Sequence, residues 1–395
     1  MSIISFITEL SNINKEKNVF STPRYIDEDS QYLSKLSDAY EKIEEIATKN
    51  SLSEINQEIK NIEKAVEKYY DGQIDGALRK IRNIIKEFND VPYICTKFNN
   101  CGAFNNLRTD KVDDKDIDLY RARKGTADQI KDIWSMYHIP FNMRSSVGSQ
   151  RFSIPGLPCL YLGKSVYTCW MELKQPADSE FYVSRVRVDD NIKIFNLAVN
   201  INTLIELCNS LPEIVKYNLL EKGVTRDEFL LNYSKVWILS FACSFKIKQE
   251  PRQFKSDYII PQLVMLALKQ LNIQAVAYLG KTFSENEIYR NFAKLNLNVA
   301  IIMDGKNIFR NSQKDEEKYS SIMKNVHLSS PVNFAQFKNI INTDPSGRNK
   351  SDNETGASRG IVNHYIEIAG MNISYSDTLF CKFERHLVNL DLKNC

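Results

Sequence analysis

His138–Leu173 reads HIPFNMRSSVGSQRFSIPGLPCLYLGKSVYTCWMEL. Inside it, Cys159–Leu162 is a short apolar run bounded by Pro158 and Gly163, the pattern of a strand. Val166–Leu173 follows as a helical piece. Outward from this block the alternation continues. Candidate strands are Leu119–Ala122, Phe181–Val188, Ile192–Asn196, Trp237–Phe245, Ala275–Tyr278 and Asn298–Met303, rich in Val, Ile, Tyr and Phe. Candidate helices are Thr126–Tyr137, Ile201–Cys208 and Tyr258–Gln270. Strands and helices mix without strict βαβ repetition, which predicts an α+β fold with a mixed sheet rather than a doubly wound one.

Upstream the period changes. Leu33, Leu36, Tyr40, Ile43 and Ile46 form one apolar stripe, which Asn50 ends. Ser51 and Glu54 have the spacing of a capping box. Ile55, Ile59, Ile62, Val66 and Tyr69 form a second stripe, stopped at Asp71-Gly72. Asp75 is expected to cap a third helix carrying Leu78, Ile81, Ile85 and Phe88. Three amphipathic helices joined by short turns predict a small bundle or cap. The expected organisation is therefore a helical domain over residues 1–110, an α+β domain over 111–343, and an appendage over 344–395. The charge run 110–116 reads as a solvated linker face, and the polar stretch 344–360 as a mobile loop. His364–Ile373 and Thr378–Phe383 are expected to add strands.

Composition bounds the function. The chain has 395 residues, 43% hydrophobic, with 52 Lys+Arg against 49 Asp+Glu. A formal charge of +3 does not call for nucleic acid as a partner. Eight cysteines and four histidines show no zinc-like spacing, so reduced thiols and no metal are expected. No segment approaches the ~20 apolar residues of a membrane span. The N-terminal apolar stretch lacks a basic residue before it and a small-residue cleavage site, so a cytoplasmic protein is expected. Gly163-Lys164-Ser165 and Gly280-Lys281-Thr282 resemble the end of a phosphate-binding loop. The Gly required five residues earlier is Pro158 in one and Ala275 in the other, and both fail.

With Leu119-Tyr-Arg-Ala-Arg123 before it, the 138–173 block resembles the RES-domain family, NAD-consuming proteins known as toxins of bacterial toxin–antitoxin modules. Arg121 matches the family's leading Arg. Gly148-Ser-Gln-Arg151-Phe152-Ser153-Ile-Pro-Gly156 matches its glycine-bounded Arg-aromatic segment. Pro158-Cys-Leu160-Tyr161-Leu-Gly163-Lys-Ser165 follows, and Glu172 stands eleven residues after Tyr161. Pro261-Gln262-Leu263 and Ala275–Tyr278 match weaker motifs downstream. The likeness covers roughly residues 117–310. At the family Ser position this chain has Gly280, with Thr282 and Ser284 nearby.

The resemblance implies cleavage of the nicotinamide–ribose bond of NAD+ in an ADP-ribosyltransferase-like domain. NAD+ is then a substrate, and neither cofactor nor metal is needed. Glu172 would stabilise the oxocarbenium-like charge. Arg121 and Arg151 would hold the pyrophosphate through charge-assisted hydrogen bonds. Tyr161 would offer its ring to the nicotinamide. Ser153 and Lys281 complete the expected substrate contacts. Arg121 and Arg123 are expected on opposite faces of their strand, Arg121 toward the pocket, and Arg144 as a solvated loop residue. ADP-ribose would pass to water, phosphate or a protein. The alternatives are a protein-directed ADP-ribosyltransferase and a non-catalytic module binding a nucleotide or a partner. A toxic activity implies a neutralising antitoxin or a regulatory partner, with the N-terminal helices as the place for it and phage defence as an analogy. A homo-oligomer is left open.

Overall fold

The computed structural model describes residues 2–104, 117–249, 252–281, 295–304, 319–343, 365–368 and 371–393. The runs 110–116 and 344–360, with Thr282, Ser284 and His364, lie outside them. In chain order the elements begin with α1 (Ile3–Lys17), β1 (Arg24–Ile26), α2 (Tyr32–Lys49), α3 (Ser53–Tyr70), α4 (Ile74–Glu87) and β2 (Cys95–Lys97). Next come β3 (Leu119–Lys124), β4 (Cys159–Gly163), α5 (Val166–Glu172), β5 (Phe181–Val188), β6 (Lys193–Asn196), α6 (Ile201–Asn209), α7 (Glu213–Glu221) and α8 (Arg226–Ala242). Then follow β7 (Phe245–Ile247), α9 (Ile259–Gln270), β8 (Ala275–Leu279), β9 (Leu297–Ile302), β10 (Val326–Leu328) and β11 (Val332–Asn333). The last are α10 (Phe334–Thr343), β12 (Tyr365–Ile368), β13 (Met371–Ser374) and α11 (Leu379–Val388). The class is α+β, as the sequence predicts, with a helical N-terminal region.

The chain forms two compact units. The first joins Met1–Val112, Ser149–Ile154 and Lys193–Glu285. Here the stripes of α2, α3 and α4 pack together, and also on α8 and α9. Leu36, Tyr40, Ile43, Ile59 and Ile62 are fully buried, worth roughly 1.5–3 kcal/mol for each large side chain. Tyr32 and Tyr40 donate their hydroxyls to the carbonyls of Ala242 and Ile238, each at 2.9 Å, which pins α2 along α8. In this unit β6 pairs antiparallel with β2 and parallel with β8, a mixed arrangement.

The second unit joins Asp113–Gly148, Pro155–Ile192 and Asn286–Cys395. Its strands run β10–β5–β3–β4–β9, antiparallel throughout, and β11 also pairs with β5. The α10 and α11 helices meet through Phe334 stacked on Phe380, ring centroids 5.5 Å apart, and Phe337 against Phe383 at 4.7 Å. Asp118 accepts from both Arg185, at 2.7 Å, and Arg187, at 2.9 Å, just ahead of β3. No helix among the described residues is long and apolar enough to cross a membrane.

Several local readings are corrected. Trp237–Ala242 is the end of helix α8, not a strand. Its side chains are buried almost all round, and a continuous apolar run carries no period to separate helix from strand. Thr378–Phe383 opens α11, because the Thr378 hydroxyl accepts the Cys381 amide and starts a helix. Thr126–Tyr137 holds only a 3-10 turn at Ile133–Met136. Ser51 takes a positive φ of 60° and makes no capping box with Glu54. Asp75 lies inside the first turn of α4 rather than capping it.

Candidate functional site

Arg121 and Arg123 stand two residues apart on β3, whose six residues pair with β5 without a bulge. Side chains alternate with a period of two, so both arginines share one face, correcting the expectation that they oppose each other. Both reach the same turn. Arg121 Nε donates to Met136 O at 3.2 Å, and Arg123 Nη1 to Ser135 O at 2.6 Å. Arg121 Nη1 also donates to Tyr161 O at 3.1 Å. Among the described residues neither guanidinium has a carboxylate partner. Burial, with Arg123 alongside, pulls Arg121 down to about 9. A desolvated pair of cations facing carbonyl oxygens only is an arrangement suited to an anion. Arg144 is partly buried with its guanidinium 5.5 Å from the Phe141 ring, and is no solvated loop residue.

The pairing between β3 and β4 explains the Tyr161 contact. The two strands share one residue pair, Tyr120 with Gly163, whereas β4 and β9 share five. Past that pair, the Arg121 side chain takes a β4 carbonyl that a longer ladder would have bonded to backbone. Register also sets the faces. Tyr161 lies opposite Ala300 and Gly163 opposite Asn298, so Tyr161 and Asn298 share a face with Tyr120. Arg121 therefore leaves β3 on the other face and meets β4 at the level of its backbone.

Glu172 is the last residue of α5 and is exposed. Its Oε1 accepts from Asn298 Nδ2 at 3.3 Å. The partner is a neutral amide rather than a lysine, so the contact orients the carboxylate without cancelling its charge. Tyr161 thus shares a sheet face with Asn298, which ties Glu172 to β9. The buried Cys169 thiol, pushed up to about 12 by burial, lies within electrostatic reach of both Arg121 and Glu172. Cys169 also accounts for Gly163: a Cβ there would stand 2.7 Å from its sulfur. Glycine allows α5 to lie close on β4.

The other expected substrate residues fall in the first unit. Arg151 stacks on two rings, 4.7 Å from the Tyr278 centroid and 5.0 Å from that of Phe152, and donates to Leu279 O at 2.6 Å. With Thr22, Ser240, Cys243, Gly280 and Lys281 it lines a small cleft. Lys281 is ion-paired to Asp257 at 3.1 Å, and burial brings its ammonium down to about 8. Ser153 is 2% exposed, and its hydroxyl closes a turn on the amide and carbonyl of Gln150.

Asn298 is the residue of the candidate site that sequence reasoning missed, and Arg123 is the one it set on the wrong face. Asn298 had one visible signal, a polar residue within an otherwise apolar strand.

Over 207 residues, 51% of this chain, the sequence is 32% identical to a Bacillus subtilis (strain 168) protein named "Putative toxin YopC". The match spans 43% of that relative, under half its length. No protein-family model matches the chain, and no solved structure is significantly similar to it.

Proposed function

We propose that this chain is a toxin-like enzyme of RES type that splits the nicotinamide–ribose bond of NAD+. The observation that carries the reading is the Arg121 guanidinium. It has no carboxylate partner among the described residues and is bonded to the carbonyl of Tyr161, and the Cys169 thiol lies within electrostatic reach of both it and Glu172. NAD+ offers a diphosphate to Arg121 and Arg123, and a ribose joined to a cationic ring to Glu172. The carboxylate favours positive charge developing at the anomeric carbon. The leaving nicotinamide is already cationic and departs neutral, so no strong general acid is needed. The Tyr161 ring supplies a flat apolar face to the nicotinamide. Kinship with a protein named as a toxin agrees with an activity that depletes NAD+ and with control by a partner.

Purified protein incubated with NAD+, with and without phosphate, tests this through nicotinamide release. Release abolished in Glu172→Gln supports the enzyme. Its phosphate dependence separates hydrolysis from phosphorolysis, and label retained on protein identifies a transferase. Arg121→Lys cannot reproduce the planar fork to Met136 O and Tyr161 O, and should weaken NAD+ binding by about tenfold or more. NAD+ bound without release identifies a binding module in place of the enzyme, and the absence of both binding and release overturns the reading altogether.

A further inference from the structure

Helix α5 has seven residues, and its outer side is covered by the C-terminal helix α11. Phe380 packs on Tyr167 and Trp170, with ring centroids 5.2 and 5.3 Å apart. One turn further along α11, Glu384 is 2% exposed and faces the start of α5. Its Oε1 accepts from the backbone N–H of Val166 at 2.7 Å and from the hydroxyl of Tyr375 at 2.5 Å. Val166 is the first residue of α5, so its amide has no partner within the helix. A carboxylate there also complements the positive end of the helix dipole. Ser165 and Thr168 donate their hydroxyls to the Leu295 carbonyl, fixing the same end. Glu172 stands at the opposite end, about 9 Å away at 1.5 Å per residue. A tilt of about 10° at the anchored end would swing it by about 1.5 Å.

We propose that Glu384 is a positioning residue for Glu172, holding from the C-terminal helix the end of α5 that fixes where the Glu172 carboxylate points. Its effect on turnover rests on the NAD+ reading above, whereas its effect on α5 does not. Glu384→Gln keeps an oxygen within reach of both donors. Glu384→Asp keeps the charge but is one methylene too short to reach Val166. Glu384→Ala removes both.

The experiment uses the full chain with NAD+, measuring kcat and KM for nicotinamide release alongside amide hydrogen exchange. Glu384→Asp and Glu384→Ala are expected to lose about 10- to 100-fold in kcat with KM within about threefold, since a misplacement on this scale acts on turnover. Glu384→Gln should stay within about threefold of the parent. Amides of α5 should exchange at least about tenfold faster in Glu384→Asp, with β3 and β5 unchanged. Should Glu384→Ala fail to fold, Glu384→Asp and Glu384→Gln carry the comparison. Parental kcat in Glu384→Asp overturns the proposal, as does equal loss in every variant in proportion to unfolded protein. If the parent releases no nicotinamide, the NAD+ reading fails and exchange alone decides. Acceleration confined to α5 in Glu384→Asp and absent in Glu384→Gln then upholds the positioning role. Unchanged or uniformly faster exchange overturns it.

Discussion

The Asn298 side-chain amide donates to the Glu172 carboxylate at 3.3 Å, joining the end of α5 to strand β9. The donor is neutral, so it orients Glu172 while leaving its charge for another group. Replacing it by Asn298→Asp exchanges the orienting donor for a like charge at hydrogen-bond distance. Nicotinamide release should fall about tenfold at neutral pH, and further than in Asn298→Ala, which removes the donor without adding a charge. Release rates of the two variants compare them, and parental release in Asn298→Asp would remove Glu172 from the chemistry.

Gly163 and Cys169 form a packing pair with a clear expectation. A methyl at residue 163 would stand 2.7 Å from the Cys169 sulfur and 3.2 Å from Ser165 O. Overpacking of this kind costs about 1–3 kcal/mol. Gly163→Ala should destabilise by that amount, and Gly163→Ala with Cys169→Ala should recover part of it. The Ser165 carbonyl stays in the way, so recovery is incomplete. A double-mutant cycle by chemical denaturation measures the coupling, and additive effects would show that the helix shifts instead.

Stability should depend on pH through Glu58. This carboxyl is 2% exposed, 3.8 Å from Lys235, and burial raises it to about 8. Its Oε1 has no hydrogen-bond partner among the described residues. The sign follows from proton binding. Between the unfolded value, about 4.5, and about 8 the folded state holds the extra proton, so its stabilising effect is complete below that window and is lost as pH rises through it. Glu58→Gln stays neutral and should flatten the slope, losing less stability than the parent between pH 5 and 8.5. Denaturant melts at pH 5 and 8.5 check this, and parallel slopes in both proteins would refute it.

Much of the fold was legible wherever the signal is local. The stripes of α2, α3 and α4 showed because each helix has a wet face and a dry one. Strand β5 showed because its β-branched and aromatic residues lie between turn formers. Helix α8 did not, since burial on every side erases the period that would have marked it. Two caps were misplaced by a residue or two, because Ser51 and Asp75 carry the right chemistry next to the right position.

The candidate site divided in the same way. The order and spacing of Arg121, Tyr161 and Glu172 can be read along the chain, since each sits in a short motif. Their partners cannot. Asn298 lies 126 residues from Glu172, and Glu384 lies 218 from Val166. Sequence by itself determined the α+β class, the helical N-terminal region and which residue types carry charge. Only the tertiary structure decided which of those charges lack a carboxylate partner. It left Arg121 and Arg123 against carbonyls, tied Lys281 to Asp257, and enclosed the Ser153 hydroxyl within its own turn. The reason is physical: burial and pairing are properties of neighbours in space, and strand register chooses those neighbours across long separations in sequence.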